Sequence, residues 1–508
     1  MPEPSSLPDA LPRVPTHIPG LDLILNGGLL EGGLYLVLGT PGTGKTILCN
    51  QIAFKHVASG ERAVYVTLIA ETHARMLAHL RPLTFFDPAP ISDTLYYISG
   101  YPALEQEGVD GLLSMLRSTV RDHRATLLVI DGIVNIHPLA DILGYKRFMQ
   151  DLQVTMEANG CTTILITPSG NVFEPSPEHT IVDGIIALSH QRVGMRAVRE
   201  LEIRKFRGSG FLEGSHSIEI GADGVTVHPR TEARYASPPA WAGEERQRMG
   251  FGIPSLDEMV QGGLLSGSTT MLLGAPGSGK TSLGLHFLAE GARQGQPGLH
   301  FGFYETPPRL ASKASQISLD FARHVVEGTI EVIWQPPLEN NLDALAEKLL
   351  AAIHRRKVRR LFLDGVNAFK EVVYPERLGR YFVALTNELR ALDVTTVYTS
   401  EWPALLAPAA ELPDGAMVEM AENMILLRYV ELRSQLYRLL SIIKIRESGY
   451  DPSIREFRIT SQGVEVASTF ESAEAILTGT ARPSFPSSGF PRTGRRSSGA
   501  RGGKRGVP

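Results

Sequence analysis

The chain has 508 residues, of which 43% are hydrophobic and 20% charged, with a formal net charge of −4 at pH 7. That balance describes an ordinary globular protein with room for more than one core, and it argues against a nucleic-acid coat. Two cysteines, Cys49 and Cys161, exclude a disulfide framework and a Cys-rich zinc site and fit a reducing, cytoplasmic setting. The start, Met1-Pro2-Glu3-Pro4-Ser5-Ser6, has neither a basic n-region nor an apolar h-region, and no apolar run reaches membrane length, so neither export nor membrane insertion is expected.

The first predicted strand is the apolar run Leu34-Tyr35-Leu36-Val37-Leu38, and a helical pattern follows from Ile47 to His56. Between them lies Gly39-Thr40-Pro41-Gly42-Thr43-Gly44-Lys45-Thr46, which fits G-x-x-x-x-G-K-[ST]. In that pattern glycines let backbone N–H groups close on phosphate oxygens, Lys reaches the outer phosphates and Thr ligates Mg²⁺. The helix N-terminus that follows adds its dipole to the anion site.

Further strands are predicted at Ala63-Val64-Tyr65-Val66-Thr67, Leu127-Leu128-Val129-Ile130-Asp131 and Thr162-Thr163-Ile164-Leu165-Ile166-Thr167, with helical stretches between. Continuous apolar strands alternating with helices predict a parallel sheet covered on both faces. Glu71 follows the first of these strands, where a carboxylate can orient or deprotonate attacking water. Asp131 ends the second, where an open parallel sheet places ligand groups, and about 85 residues after the phosphate loop it is placed to support the Mg²⁺ on Thr46. Lys205-Phe206-Arg207-Gly208-Ser209 carries two cations on one face of a strand, suited to offset charge developing in phosphoryl transfer.

After a polar, Pro-bearing stretch from Pro229 to Arg248, the whole pattern recurs. The second loop is Gly274-Ala275-Pro276-Gly277-Ser278-Gly279-Lys280-Thr281, preceded by Thr270-Met271-Leu272-Leu273 and followed by a helical pattern from Ser282 to Ala292. The lead-in Gly20-Leu21-Asp22 with Gly27-Gly28-Leu29-Leu30-Glu31-Gly32 returns as Ser255-Leu256-Asp257 with Gly262-Gly263-Leu264-Leu265-Ser266-Gly267. Counterpart strands run from Gly298 to Gly302, over Leu361-Phe362-Leu363-Asp364 and over Thr395-Thr396-Val397-Tyr398-Thr399. Glu305, Asp364 with Thr281, and Lys444-Ile445-Arg446-Glu447-Ser448 repeat the candidate water-positioning, metal-ligating and cationic groups. The expected division is a first α/β nucleotide-binding domain at 1–240, a second at 241–470 and a basic tail at 471–508. From Ala481 onward the tail has seven Arg or Lys and no acid, so disorder and a role as an electrostatic handle are expected there.

The order of lead-in, phosphate loop, strand-end Glu-Thr, strand-end Asp and K-x-R-[GE]-S, all in duplicate, resembles the KaiC family of RecA-like ATPases over about residues 13 to 470. The resemblance implies two tandem RecA-like P-loop domains, each a mainly parallel sheet flanked by helices. It also implies a homohexamer of two stacked rings with ATP and Mg²⁺ at subunit interfaces, and Lys205, Arg207, Lys444 and Arg446 acting on a neighbour's nucleotide. In the family's clock member two adjacent acids stand where this chain has Ala70-Glu71 and Tyr304-Glu305. Val418-Glu419 stands in place of its phosphorylated Ser-Thr pair.

Four functions fit this far. The first is a slow hexameric ATPase that signals to a regulatory protein partner. The others are an autophosphorylating Ser/Thr kinase, a nucleotide-gated scaffold without turnover, and a RecA-like DNA recombination or repair ATPase. The absence of an N-terminal Cys₄ ribbon and the near-neutral charge count against nucleic acid.

Overall fold

In the computed structural model the described residues are 11–68, 73–139, 141–168, 177–193, 195–236, 246–338, 341–371, 374–402, 418, 421–432 and 435–477. The first half contributes β1 (Leu34–Gly39), α1 (Lys45–Ala58), β2 (Ala63–Thr67), β3 (Leu95–Ser99), α2 (Tyr101–His123), β4 (Leu127–Asp131), α3 (Ile142–Ala158) and β5 (Thr162–Pro168). Four further strands follow: β6 (Gly184–Val193), β7 (Arg196–Phe206), β8 (Ser215–Gly221) and β9 (Gly224–His228). They form one nine-stranded sheet in the order β9-β8-β7-β6-β1-β5-β4-β2-β3. From β3 to β6 neighbouring strands are parallel, and β7, β8 and β9 extend the edge as antiparallel hairpins.

The second half repeats this with β10 (Thr269–Gly274), α4 (Lys280–Arg293), β11 (Gly298–Gly302), β12 (Ile330–Trp334), α5 (Leu342–Arg356), β13 (Arg360–Asp364), α6 (Leu378–Ala391) and β14 (Thr395–Glu401). It closes with β15 (Asn423–Leu432), β16 (Gln435–Lys444), β17 (Arg455–Thr460) and β18 (Gly463–Val466). Its order, β12-β11-β13-β14-β10-β15-β16-β17-β18, is the same topology read from the other edge. The mainly parallel sheet expected from the sequence is borne out, with antiparallel strands added along one edge of each sheet. The antiparallel strands escaped the apolar-run reading because polar and charged residues interrupt the apolar ones in Arg196–Phe206 and Gln435–Lys444.

Period-two alternation divides each strand between two cores. In the first domain Tyr35, Val37, Tyr65 and Val129 pack beside Leu48 and Ile52 of α1. Leu36, Val66 and Ile130 pack on the other face with Leu112 and Leu116 of α2 and Phe148 and Leu152 of α3. The second domain repeats the division, with α4 on one face and α5 and α6 on the other. Among the described residues no helix is long and apolar enough to cross a membrane.

The repeated lead-in has a physical reason. Asp22 accepts from Thr16 N at 2.8 Å and His17 N at 2.9 Å, and Asp257 likewise from Phe251 N at 2.6 Å and Gly252 N at 3.0 Å, fastening a short turn before each sheet. Gly28 (φ 120°) and Gly263 (φ 133°) let the chain pass so closely that a Cβ would lie 2.4 Å from Val14 O or 2.5 Å from Met249 C.

Polar groups hold the halves together. Asp343, fully buried near the start of α5, accepts from Thr231 N at 2.9 Å and Thr231 Oγ1 at 3.0 Å and pairs with Arg377 at 3.0 Å. Arg377 also pairs with Glu232 at 2.6 Å. Asn341 caps α5, and Ser217 of β8 donates to its Oδ1 at 3.1 Å. His228, at the end of β9, meets Glu347 of α5 at 2.7 Å and Glu219 of β8 at 3.7 Å. Beyond β18 the helix Glu471–Leu477 packs Ala473 on Leu439, so ordered chain continues past the point where the tail was expected to begin.

Candidate nucleotide sites

Both phosphate loops leave the C-terminal end of the central parallel strand and enter a helix, which is what the motif requires. Gly44 and Gly279 cap the helices at φ 100° and 109°. A Cβ there would lie 2.5 Å from Ile220 Cδ1 or 2.6 Å from Phe457 Cε1, so the antiparallel edge of each sheet presses on its own loop. Lys45 Nζ donates to Gly39 O at 2.6 Å and Thr40 O at 3.1 Å. Lys280 Nζ donates to Gly274 O at 2.7 Å and Ala275 O at 2.9 Å. Burial pulls both ammonium groups below their ordinary pKa, opposed by Asp131 at the first and by Glu401 and Asp364 at the second. Within the loops Thr43 Oγ1 donates to Thr40 O at 2.8 Å, Pro276 and Gly277 line the second cleft, and Pro41 and Gly42 (φ 82°) form the turn of the first loop.

Asp131 and Asp364 end β4 and β13 directly behind these loops. Thr46 Oγ1 donates to Asp131 Oδ2 at 3.4 Å, and Tyr65 OH donates to the same oxygen at 3.0 Å. A hydroxyl and a carboxylate converging beside a phosphate cradle are the donor set that Mg²⁺ takes, so these residues fit the ion. In the second domain Thr399 Oγ1 donates to Asp364 Oδ1 at 2.8 Å. Burial works to raise the Asp364 carboxyl, but His300, Thr399 and Thr281 outweigh it and hold the group below its ordinary range. Burial, and then the charge of Asp131, push the Tyr65 phenol up, so it stays protonated and a donor.

The second cleft, about 390 Å³, gathers Lys280, Thr281, Glu305, Asp364 and Glu401. Glu305 stands three residues beyond β11 rather than at its end, and it is held by an ion pair with Lys313 of the following helix. Lys313 and Thr399 were not singled out from sequence, nor was Tyr65; the signal available was a polar side chain inside an otherwise apolar strand, or a lysine eight residues after Glu305 in the next helix. The corresponding first-domain candidate, Glu71, lies outside the described residues. A larger cleft, about 680 Å³, lies between the domains, lined by β7, β8 and Tyr374, away from both phosphate loops.

The four cations expected to act together are not brought to their own loops. Lys205 stands opposite Ile185, and Arg207 N donates to Asp183 O, level with the start of β1, whereas the loop leaves its far end at Gly39. Five residues of strand separate those ends by roughly 16 Å. Lys205 Nζ donates to His179 O at 2.9 Å and Arg207 Nη2 to Thr180 O at 2.8 Å. Lys444 stands opposite Met424 at the corresponding end of the second sheet, its Nζ donating to Ala421 O at 2.7 Å, and Arg446 follows it. Burial and then the adjacent arginine lower both lysines.

Fold and site together define a tandem RecA-like P-loop ATPase, two copies of one nucleotide domain in a single chain. The KaiC ATPase family model matches it twice, over residues 14–232 and 249–471, and the chain belongs to that family. It is 26% identical over 486 residues to the circadian clock oscillator protein KaiC of Thermostichus vulcanus, covering 92% of this chain and 91% of that protein. Circadian clock oscillator protein KaiC 1 of Synechocystis sp. is 26% identical over 482 residues, 92% and 91% of the two chains. The circadian clock protein KaiC3 of the same organism is 25% identical over 491 residues, covering 93% and 95%.

Proposed function

We propose that this protein is a slow ATPase that works as a homohexameric ring and uses its nucleotide state to signal to a regulatory protein partner. The observation that carries the reading is the placement of cations and loops at opposite ends of each sheet. A subunit receives phosphate at one end and offers Lys205, Arg207, Lys444 and Arg446 at the other, so a complete site needs a neighbour.

In each site the glycine loop and helix N-terminus hold the phosphates, and Lys45 or Lys280 exchanges its loop carbonyls for outer phosphate oxygens. Thr46 with Asp131, and Thr281 with Asp364, are the residues that would hold Mg²⁺, which neutralises phosphate charge when bound. Glu305, steadied by Lys313, orients the attacking water, and Glu71 does so in the first domain. The neighbour's Lys and Arg offset charge developing on the transferred group. A single carboxylate at each of these positions, where the clock member has two, favours slow turnover.

Val418, part-buried, has no hydroxyl to accept a phosphoryl group, which supports turnover to water over an autophosphorylation cycle. Light scattering on the eluting protein with ATP and Mg²⁺ should give a mass near six subunits, and the Lys45→Ala, Lys280→Ala double variant should lose both assembly and phosphate release. A monomer at saturating ATP would sink the ring. Stoichiometric phosphate by intact-mass spectrometry would favour the kinase reading, and salt-dependent capture of single-stranded DNA the recombinase one.

A further inference from the structure

We propose that Tyr65 and Thr399 are positioning residues for the two metal-site carboxylates, and that the two domains hold these carboxylates from opposite flanking strands. The inference rests on reading Asp131 and Asp364 as the Mg²⁺ carboxylates.

Each carboxylate ends a strand with one neighbour on either side. Asp131 is flanked by β2 and β5, and Asp364 by β11 and β14. In the first domain the donor comes from β2, as Tyr65 OH, while β5 presents Ile166, which pairs directly with Asp131 and is apolar and buried. In the second domain the roles are exchanged. Thr399, the equivalent of Ile166, donates to Asp364 at 2.8 Å, and it also accepts from Gly365 N at 2.7 Å. The β11 position equivalent to Tyr65 is His300, whose Nε2 lies 3.9 Å from Asp364 Oδ2, beyond hydrogen-bond reach.

Tyr65 is itself fixed. It is fully buried, its ring packs on Tyr97 at 5.4 Å, Tyr97 OH donates to Asn50 Oδ1 at 2.8 Å, and Asn50 Nδ2 donates to Thr46 O at 2.8 Å. The chain of contacts thus runs from the carboxylate back to the residue that follows the loop lysine. A donor held this firmly selects one orientation of the carboxylate, and loss of such an outer partner typically costs about 10-fold or more in metal affinity. Ile166 offers no donor and His300 lies only in ion-pair range at 3.9 Å, so the hydrogen bond from a flanking strand comes from a different strand in each domain.

The test uses the full chain and a fluorescent ATP analogue, with retention followed as Mg²⁺ is titrated. The Lys280→Ala background reads the first loop and the Lys45→Ala background the second. Tyr65→Phe should raise the Mg²⁺ half-saturation of the first loop by about 10-fold while metal-free nucleotide affinity is unchanged. Adding Ile166→Thr should recover most of the loss by supplying the donor from the other flank. Thr399→Val should do the same to the second loop, and Thr399→Ser, which keeps the hydroxyl, should not. An unchanged half-saturation, or an equal fall with and without Mg²⁺, overturns the inference. If Tyr65→Phe fails to fold, the Thr399→Val and Thr399→Ser pair decides. Absence of Mg²⁺-dependent binding in the two parent backgrounds would instead refute the ATPase reading itself.

Discussion

His228 ties the edge of the first sheet to α5 of the second domain, and replacing it with Gln should weaken the protein in a pH-dependent way. Burial alone would lower this imidazole, but its contacts with the Glu219 and Glu347 carboxylates, the closer one a hydrogen bond to Glu347, outweigh it and raise it from the ordinary 6.5 to about 9. That difference corresponds to about 3 kcal/mol in favour of the protonated, folded form. His228 is 9% exposed, but Glu347 is 33% and Glu219 59% exposed, and solvent screening of the carboxylates brings the effect to roughly 2 kcal/mol. For a domain of this size that is roughly 4–8 °C in melting temperature. Because the folded value lies above the unfolded one, the contribution is complete below 6.5 and is lost as pH rises through about 9. Thermal unfolding of wild type and His228→Gln should therefore differ at about pH 6, less at about pH 8, and converge at about pH 10. A gap of equal size at both extremes, or none at about pH 6, would refute the assignment of the tie to an imidazolium between two carboxylates.

Gly279→Ala should abolish nucleotide binding in the second domain alone, because a Cβ at φ 109° would sit 2.6 Å from the Phe457 ring; equilibrium binding in the Lys45→Ala background measures this. Glu305→Gln should leave nucleotide affinity nearly intact and lower phosphate release from that domain on the order of 10²-fold, and unchanged turnover would show that the carboxylate serves only its pair with Lys313. Arg360, fully buried and held by Gly250 O at 2.5 Å and Phe287 O at 2.9 Å, is lowered by burial to about 10 yet stays charged at neutral pH. Arg360→Ala should cost about 3–5 kcal/mol, read as a fall in the second domain's unfolding midpoint, by leaving those carbonyls without their donor.

What the sequence made legible follows from what leaves a local trace. Strands Ala63–Thr67 and Gly298–Gly302 begin and end where they were expected to, because both of their faces are buried along the whole length. The phosphate loops are legible because their glycine positions answer to backbone geometry within eight residues. The edge strands β3 and β12 were missed because their outer residues are half exposed, and the antiparallel strand β7 because charged residues break its apolar run. At the site, Asp131 and Asp364 could be assigned by position in the repeat, while the Tyr65 and Thr399 contacts join residues that are 66 and 35 apart in the chain. The exchange between them cannot be seen until the two sheets are laid in register. Lys205 and Arg207 both bond backbone carbonyls of residues 179–181, and only the sheet's polarity places them at the end remote from their own loop.

Strand β8 has a consequence as a mechanical part. Ile220 on one of its faces abuts the first phosphate loop at Gly44, and Ser217, three residues away on the other face, is bonded to the cap of the second domain's α5. Over that span of roughly 10 Å an extended, laddered strand is stiff, so β8 joins the first phosphate loop directly to the second domain. A displacement of the loop would have a path through Ser217 to Asn341 and Asp343 that does not include the 237–245 connection between the halves. Cutting or lengthening that connection should leave the communication intact, whereas trimming Ile220 to Ala should disconnect the two domains while both still bind.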